Sequence, residues 1–212
     1  MKKILLYALL ISPLSLMAQF GLKAGLNFAN VTKASSINNS SKTGFHAGIL
    51  MGSASAKVFG FRTELTYSKQ GYDYKAGANT GNVNLDYIMS TNLTCINITK
   101  YFQLQFGAQM AYLLNAKVDS NTTSTGNAQA DKIMNLYNRF DYGFAGGIEI
   151  HPVGGLLIGA RANISLGSLY KDAQSGQMPS FSNIDLKNNV FQIFAGWRFG
   201  KQSSSKKKDK EE

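Results

Sequence analysis

From Gln19 to Phe199 the chain repeats one pattern eight times, about a dozen residues alternating apolar and polar, and the connections between repeats alternate long and short. Alternation with period two is the mark of a β-strand with two unlike faces. A run of such strands describes a sheet closed on itself, one face in lipid and the other around a polar interior. In the bilayer core every backbone N–H and C=O needs an internal partner, so a spanning sheet must close into a barrel. The expected fold is therefore all-β: an eight-stranded, up-and-down antiparallel transmembrane barrel with short periplasmic turns and long extracellular loops.

The facing of each strand follows from its parity. In the first, Phe20, Leu22, Ala24, Leu26 and Phe28 oppose Lys23 and Asn27. The second turns Phe45, Ala47, Ile49 and Met51 outward and His46 inward, and the third turns Phe59, Phe61, Leu65 and Tyr67 against Arg62, Glu64, Thr66 and Ser68. In the fourth, the apolar set Leu85, Tyr87, Met89, Leu93 and Cys95 is expected outside and Asp86, Ser90, Asn92 and Thr94 inside. The fifth is the cleanest, with Phe102, Leu104, Phe106, Ala108, Met110, Tyr112 and Leu114 opposing Gln103, Gln105, Gln109 and Asn115. The last three place Asp141 and Glu149, Arg161 and Asn163, and Gln192 and Arg198 on their polar faces. Ser/Asn-rich residues 32–42 and Gly-rich residues 71–82 read as loops, and residues 128–139 as a short helix within the third long loop.

Period two does not by itself say which face points out, since a soluble ligand-carrying barrel has the same period with its apolar residues inside. Three features favour lipid outside. Aromatics sit at both ends of the apolar faces (Phe20 and Phe28, Phe59 and Tyr67, Phe102 and Tyr112). Eight residues of strand rise about 26 Å, close to the apolar band of roughly 25 Å between aromatic girdles. The connections alternate in length, as they do when one end faces the periplasm. The turns near Ala54, Thr99 and Gly154 are thus expected in the periplasm and the loops near Asn38, Gly77, Ser124 and Gly176 outside. Residues 1–18 read as a secretory signal: Lys2 and Lys3, then an apolar run from Ile4 to Leu16 too short to span a bilayer, then Ala18 before the cut. A hydrophobic content of 44% suits strands that are half polar and argues against a helical membrane protein. Residues 200–212, with five Lys and three acids, read as a disordered periplasmic tail.

The segments FGLKAGLNFANV, GFHAGIL, FRTELTYSKQGYDY, LDYI, FGAQMAYLLNAKV and NRFDYGFAGGIEI together resemble the PorT family of outer-membrane β-barrel proteins of Bacteroidetes, often labelled "porin family". The similarity runs from Phe20 to Phe199, and its most specific part is the run from Glu64 to Gly71. Two departures stand out: MSTNLTC replaces the Pro-containing segment that usually follows Leu-Asp-Tyr-Ile, and a KQSSSKKKDKEE tail follows Phe199. The resemblance implies a location in the Gram-negative cell outer membrane, contact with its lipid and lipopolysaccharide, and a possible envelope protein partner.

The interior inventory by parity is Lys23, Arg62, Arg161 and Arg198 against Glu64, Asp86, Asp141 and Glu149. An eight-stranded barrel is just wide enough for side chains to fill it, so these charges are expected to form a salt-bridged structural plug, with Glu64 pairing Arg62 or Arg161. The two histidines, His46 and His151, have no evident Ser partner on the same face for nucleophilic chemistry. One Cys and two distant His cannot build a closed zinc site. The net charge of +10 is scattered rather than gathered into a basic patch with aromatics, so no nucleic-acid surface is expected. The sum is a non-enzymatic barrel without cofactor or metal, with a structural or interaction role. The alternatives are a lipid-modifying outer-membrane enzyme and a small-solute or ligand-binding barrel.

Overall fold

The computed structural model describes residues 19–32, 38–52, 58–76, 79–120, 137–170 and 186–199. Among these, eight strands follow one another: β1 (Gln19–Thr32), β2 (Asn38–Gly52), β3 (Phe59–Ala76), β4 (Asn79–Asn97), β5 (Phe102–Ser120), β6 (Phe140–Ile150), β7 (Leu156–Ser165) and β8 (Lys187–Phe199). Each pairs antiparallel with the next, and β8 returns to β1 with Phe20 opposite Phe199 and Thr32 opposite Lys187. Closure leaves no edge strand, so the ladder groups have partners all the way round. The signal, the tail, the turn near Ala54, the loops near Ser124 and Gly176, and most of the helix expected at 128–139 lie outside the described residues. Its last residues, 137–139, are described and are not helical: Tyr137 forms a bridge with Tyr170.

One end of the barrel holds Gln19, Phe199 and the β4–β5 and β6–β7 turns (the turn end); the other is the loop end. At the turn end, Thr99 Oγ1 accepts from the backbone N–H groups of Tyr101 at 3.1 Å and Phe102 at 3.0 Å, closing the β4–β5 turn. At the loop end, two expected loops are largely strand. β2 already begins at Asn38, β3 runs to Ala76 and β4 restarts at Asn79. Gly, Asn and Asp weaken an isolated strand, but here each ladder bond has a neighbour waiting and the outer side chains of this stretch, Lys69, Asp73, Lys75 and Asn82, are polar. Turn-rich composition therefore marks strands that have left the lipid, rather than loops.

The apolar face points out. Phe61 is 71% exposed and Phe144 60%, and Leu22, Leu26, Phe106, Met110, Ile148 and Ile193 join them on the outer wall. Lys23, Arg62, Glu64, Gln105, Glu149 and Arg161 are buried inside. A soluble carrier has the opposite arrangement.

The fourth strand is the correction. Leu85, Tyr87, Met89, Leu93 and Cys95 are buried in the lumen, whereas Asn92 is exposed on the outer wall with Ser90 and Thr94 beside it on the same face. The cause is register. On one side Arg62 pairs with Leu93 and Glu64 with Thr91; on the other Gln105 pairs with Cys95 and Gln103 with Asn97. Partners directly opposite share a face, so once β3 and β5 turn their charged and amide residues inward, the odd-numbered residues of β4 go inward too. Asp86, even-numbered, is carried to the outside. Cys95 is a luminal side chain, not a lipid-facing one.

Candidate functional site

The lumen is filled in layers, and the layer nearest the turn end is ionic. Glu64 lies at its centre. Its Oε2 accepts from Lys23 Nζ at 2.8 Å and from Arg161 Nη1 at 2.6 Å, and its Oε1 accepts from Arg161 Nη2 at 3.0 Å. Arg62 stands 3.7 Å from Glu64 but points its fork at Glu149, donating at 2.6 and 2.9 Å. Glu149 also accepts from Gln105 at 2.9 Å, and its Oε1 meets His151 Nε2 at 2.6 Å. Gln105 in turn accepts from Arg161 at 2.6 Å and donates to Gln103 at 2.9 Å. The network joins β1, β3, β5, β6 and β7 across the lumen, with Glu149 0% and Arg161 1% exposed.

Of the eight charges that parity grouped inside, five meet: Lys23, Arg62, Arg161, Glu64 and Glu149. Asp86 is outside, in reach of Asn115 at 3.4 Å. Asp141 faces inward but at the loop-end rim, held by the Ser165 hydroxyl. Arg198 is at the turn-end rim and forms no ion pair among the described residues. Three cations therefore confront two carboxylates, and the excess positive charge is met by a ring. Phe194 lies 4.0 Å beneath Lys23 Nζ and 5.1 Å from Arg161 Cζ, within cation–π range. Gly159 makes room for that ring: a Cβ there would sit 2.5 Å from Phe194 Cζ. Phe194 is the aromatic of β8 that departs from the outward set at 191, 193 and 195. Its even number alone placed it inside.

Above the ions comes an amide layer. Asn27 donates to the carbonyls of Phe45 at 3.0 Å and Lys69 at 2.8 Å, where the β2–β3 register shifts between Ser41 and His46. Such a shift leaves carbonyls without ladder partners, and the amide serves them. His46 Nδ1 meets Asn27 Oδ1 at 2.8 Å, and Asn188 donates to Gln70 at 2.5 Å. His46 thus has an amide partner and an aromatic neighbour, Phe194 at 6.2 Å between ring centres, and no hydroxyl nucleophile bonded to it.

The loop end is apolar. Tyr72, Val83, Leu85, Tyr87, Met89, Leu113 and Ala116 from β3–β5 pack with Tyr137, Leu169, Tyr170 and Leu186 from beyond the strand ends. Tyr170 OH bonds Tyr72 OH at 2.6 Å and Tyr137 OH at 3.2 Å, and the Tyr137 and Tyr170 rings are 4.8 Å apart. Backbone bonds from Asn138 to Leu169 and from Leu169 to Leu186 stitch these segments together. The signal that could have revealed this plug is the apolar run on β4 read with the opposite facing.

Among the described residues no group of three or more His, Cys, Asp or Glu is placed to hold a metal ion, and no helix is long and apolar enough to cross a membrane. The sequence model of the family described as "Outer membrane protein beta-barrel domain" matches residues 12–171. No curated protein matches the chain. Among solved structures the chain is similar to Ail of Yersinia pestis, at 16% identity over 86% of this chain and 99% of that one with a TM-score of 0.48. It is similar to OprG of Pseudomonas aeruginosa at 14% identity, covering 87% and 97% with a TM-score of 0.44. To Neisserial surface protein A the figures are 15%, 85%, 97% and 0.46.

Proposed function

This chain belongs to the outer membrane protein beta-barrel domain family, and from that premise we propose that it is a non-enzymatic, non-conducting barrel whose work is done by what it displays outside the membrane. The observation that carries this is the filled lumen: an ion network, an amide layer and a tyrosine-lined plug succeed one another along the axis. Side chains that fill an eight-stranded barrel leave no aqueous path. The protein sits in the outer membrane, so among the described residues the feature left for display is the β3–β5 wall that rises past the lipid belt. On the resemblance to the PorT family, we assign the protein to the Bacteroidetes envelope. Export by a cleaved signal, short turns in the periplasm, lipopolysaccharide contact and an accessory role in an envelope or secretion complex belong to that assignment.

Purified protein in a planar bilayer tests the occlusion. No steady ion conductance is expected, and stable open channels of large conductance in the wild type overturn it. Orientation is tested separately by a cysteine at Gly77 in a Cys95→Ser background. It is expected to react with an impermeant thiol reagent on intact cells, whereas a cysteine at Gly154 is not.

A further inference from the structure

The outer wall between the two aromatic belts is apolar on six strands and broken on two neighbours, β3 and β4. On β4 the outward residues Ser90, Asn92 and Thr94 are polar, and Thr63 joins them from β3. Among the described residues no other outward side chain in this band is polar. The seam lies at mid-depth. Ile96 pairs with Phe59 and Leu104 near one belt, Ile88 pairs with Tyr67 and Tyr112 at the other, and Asn92 stands four residues from each. It is also a trough, because small side chains at Thr63, Asn92 and Ala108 share one row while Leu65, Met110, Phe61 and Phe106 flank the rows above and below.

Asn92 is exposed there. Thr63 Oγ1 donates to its Oδ1 at 2.9 Å, and its Nδ2 donates to nothing among the described residues. Hydrocarbon offers no partner for an amide N–H, so lipid is the wrong neighbour for this group. Small and polar side chains at mid-membrane are instead what helices and walls use to approach one another closely and bond.

We infer that the β3–β4 seam is the contact between two copies of this chain in the membrane, related by a two-fold axis along the membrane normal that passes between the two Asn92 side chains. The partner is a second copy because it alone meets the requirements automatically. Inserted the same way up, it carries its own Asn92 at the same depth. A carboxamide is self-complementary: each Nδ2 donates to the other's Oδ1, whose second lone pair is free beside the Thr63 bond. The trough lets the two walls close without a clash of large side chains.

The test uses the full chain in its native outer membrane. Ser90→Cys in a Cys95→Ser background keeps Asn92 and places a thiol beside the axis. It is expected to give a cross-linked homodimer with a short bifunctional thiol reagent. Ala195→Cys, at similar depth on β8 at the far side of the barrel, is expected to give none. Adding Asn92→Leu is expected to abolish the Ser90→Cys dimer while the barrel keeps its heat-modifiable mobility on gels, since leucine suits the lipid face. Energy transfer between labelled wild-type copies in dilute vesicles is expected to be lost in Asn92→Leu alone. Equal cross-linking at positions 90 and 195, cross-linking at 90 only to a different protein, or energy transfer absent from the wild type or unchanged by Asn92→Leu overturns the proposal.

Discussion

The two halves of the barrel obey opposite rules. In the turn-end half the inside holds Lys23, Arg62, Glu64, Glu149 and Arg161 while the outside, apart from the β3–β4 seam, is apolar and rich in Phe, Leu and Ile. In the loop-end half the inside holds Tyr72, Leu85, Tyr87, Leu113 and Tyr170 while β3 and β5 turn Lys69, Asp73, Lys75 and Lys117 outward. A single strand, β3, changes from one rule to the other between Gln70 and Tyr72 without changing parity. What differs is the solvent outside. Against lipid, polar groups belong in the lumen, where they must pair with one another. Against water, the lumen becomes an ordinary dry core driven by burial. Facing is therefore a property of depth as much as of the strand.

The contrast is open to attack at four points, taken from the largest expected effect. Glu64→Gln removes the carboxylate shared by Lys23 and Arg161 and leaves buried cations uncompensated, which typically costs about 3–5 kcal/mol; urea unfolding in lipid is expected to show the loss, and an unchanged midpoint would break the account of the turn-end half. Next comes Ala108→Arg, a charge on the lipid face at mid-depth, expected to destabilise by about 2–4 kcal/mol. In the loop-end half Tyr170→Phe deletes the hydroxyl bonded to Tyr72 and Tyr137 and is expected to cost about 1 kcal/mol, with tryptic cleavage near residues 137–139 becoming faster. Last, Lys117→Glu reverses an outward charge on the same strand as Ala108 but past the lipid belt, and is expected to change stability by no more than about 0.5 kcal/mol. If Lys117→Glu proved as damaging as Ala108→Arg, the wall at residue 117 would be in lipid and the contrast between halves would fail.

The ionic layer was partly readable beforehand. Parity alone put Lys23, Arg62, Glu64, Glu149 and Arg161 on inward faces, since the opposite parity of each strand carries its main apolar set. Their partnering was not readable. Arg62 and Glu149 are 87 residues apart, and two carboxylates lay within its reach. The choice depends on barrel stagger and on Lys23 and Arg161 already saturating Glu64. His151 and Phe194 entered the layer unannounced, one from a turn and the other from the inner face of β8, where Gln192 and Arg198 were the residues expected.

By itself the sequence determined that the chain makes eight alternating strands, that they close, and which way seven of them face, because in the lipid-spanning stretch each of those seven turns its main apolar set to one parity and a Lys, Arg, Glu, Gln or His to the other. Only the tertiary structure decided β4. Its apolar set Leu85, Tyr87, Met89, Leu93 and Cys95 looks like a lipid face in isolation, but a period of two is blind to direction. The pairing of Arg62 with Leu93 and of Gln105 with Cys95 locks those residues inward. The same lock supplies the tyrosine plug with its apolar wall, carries Asp86 out of the interior, and leaves Asn92 facing the membrane.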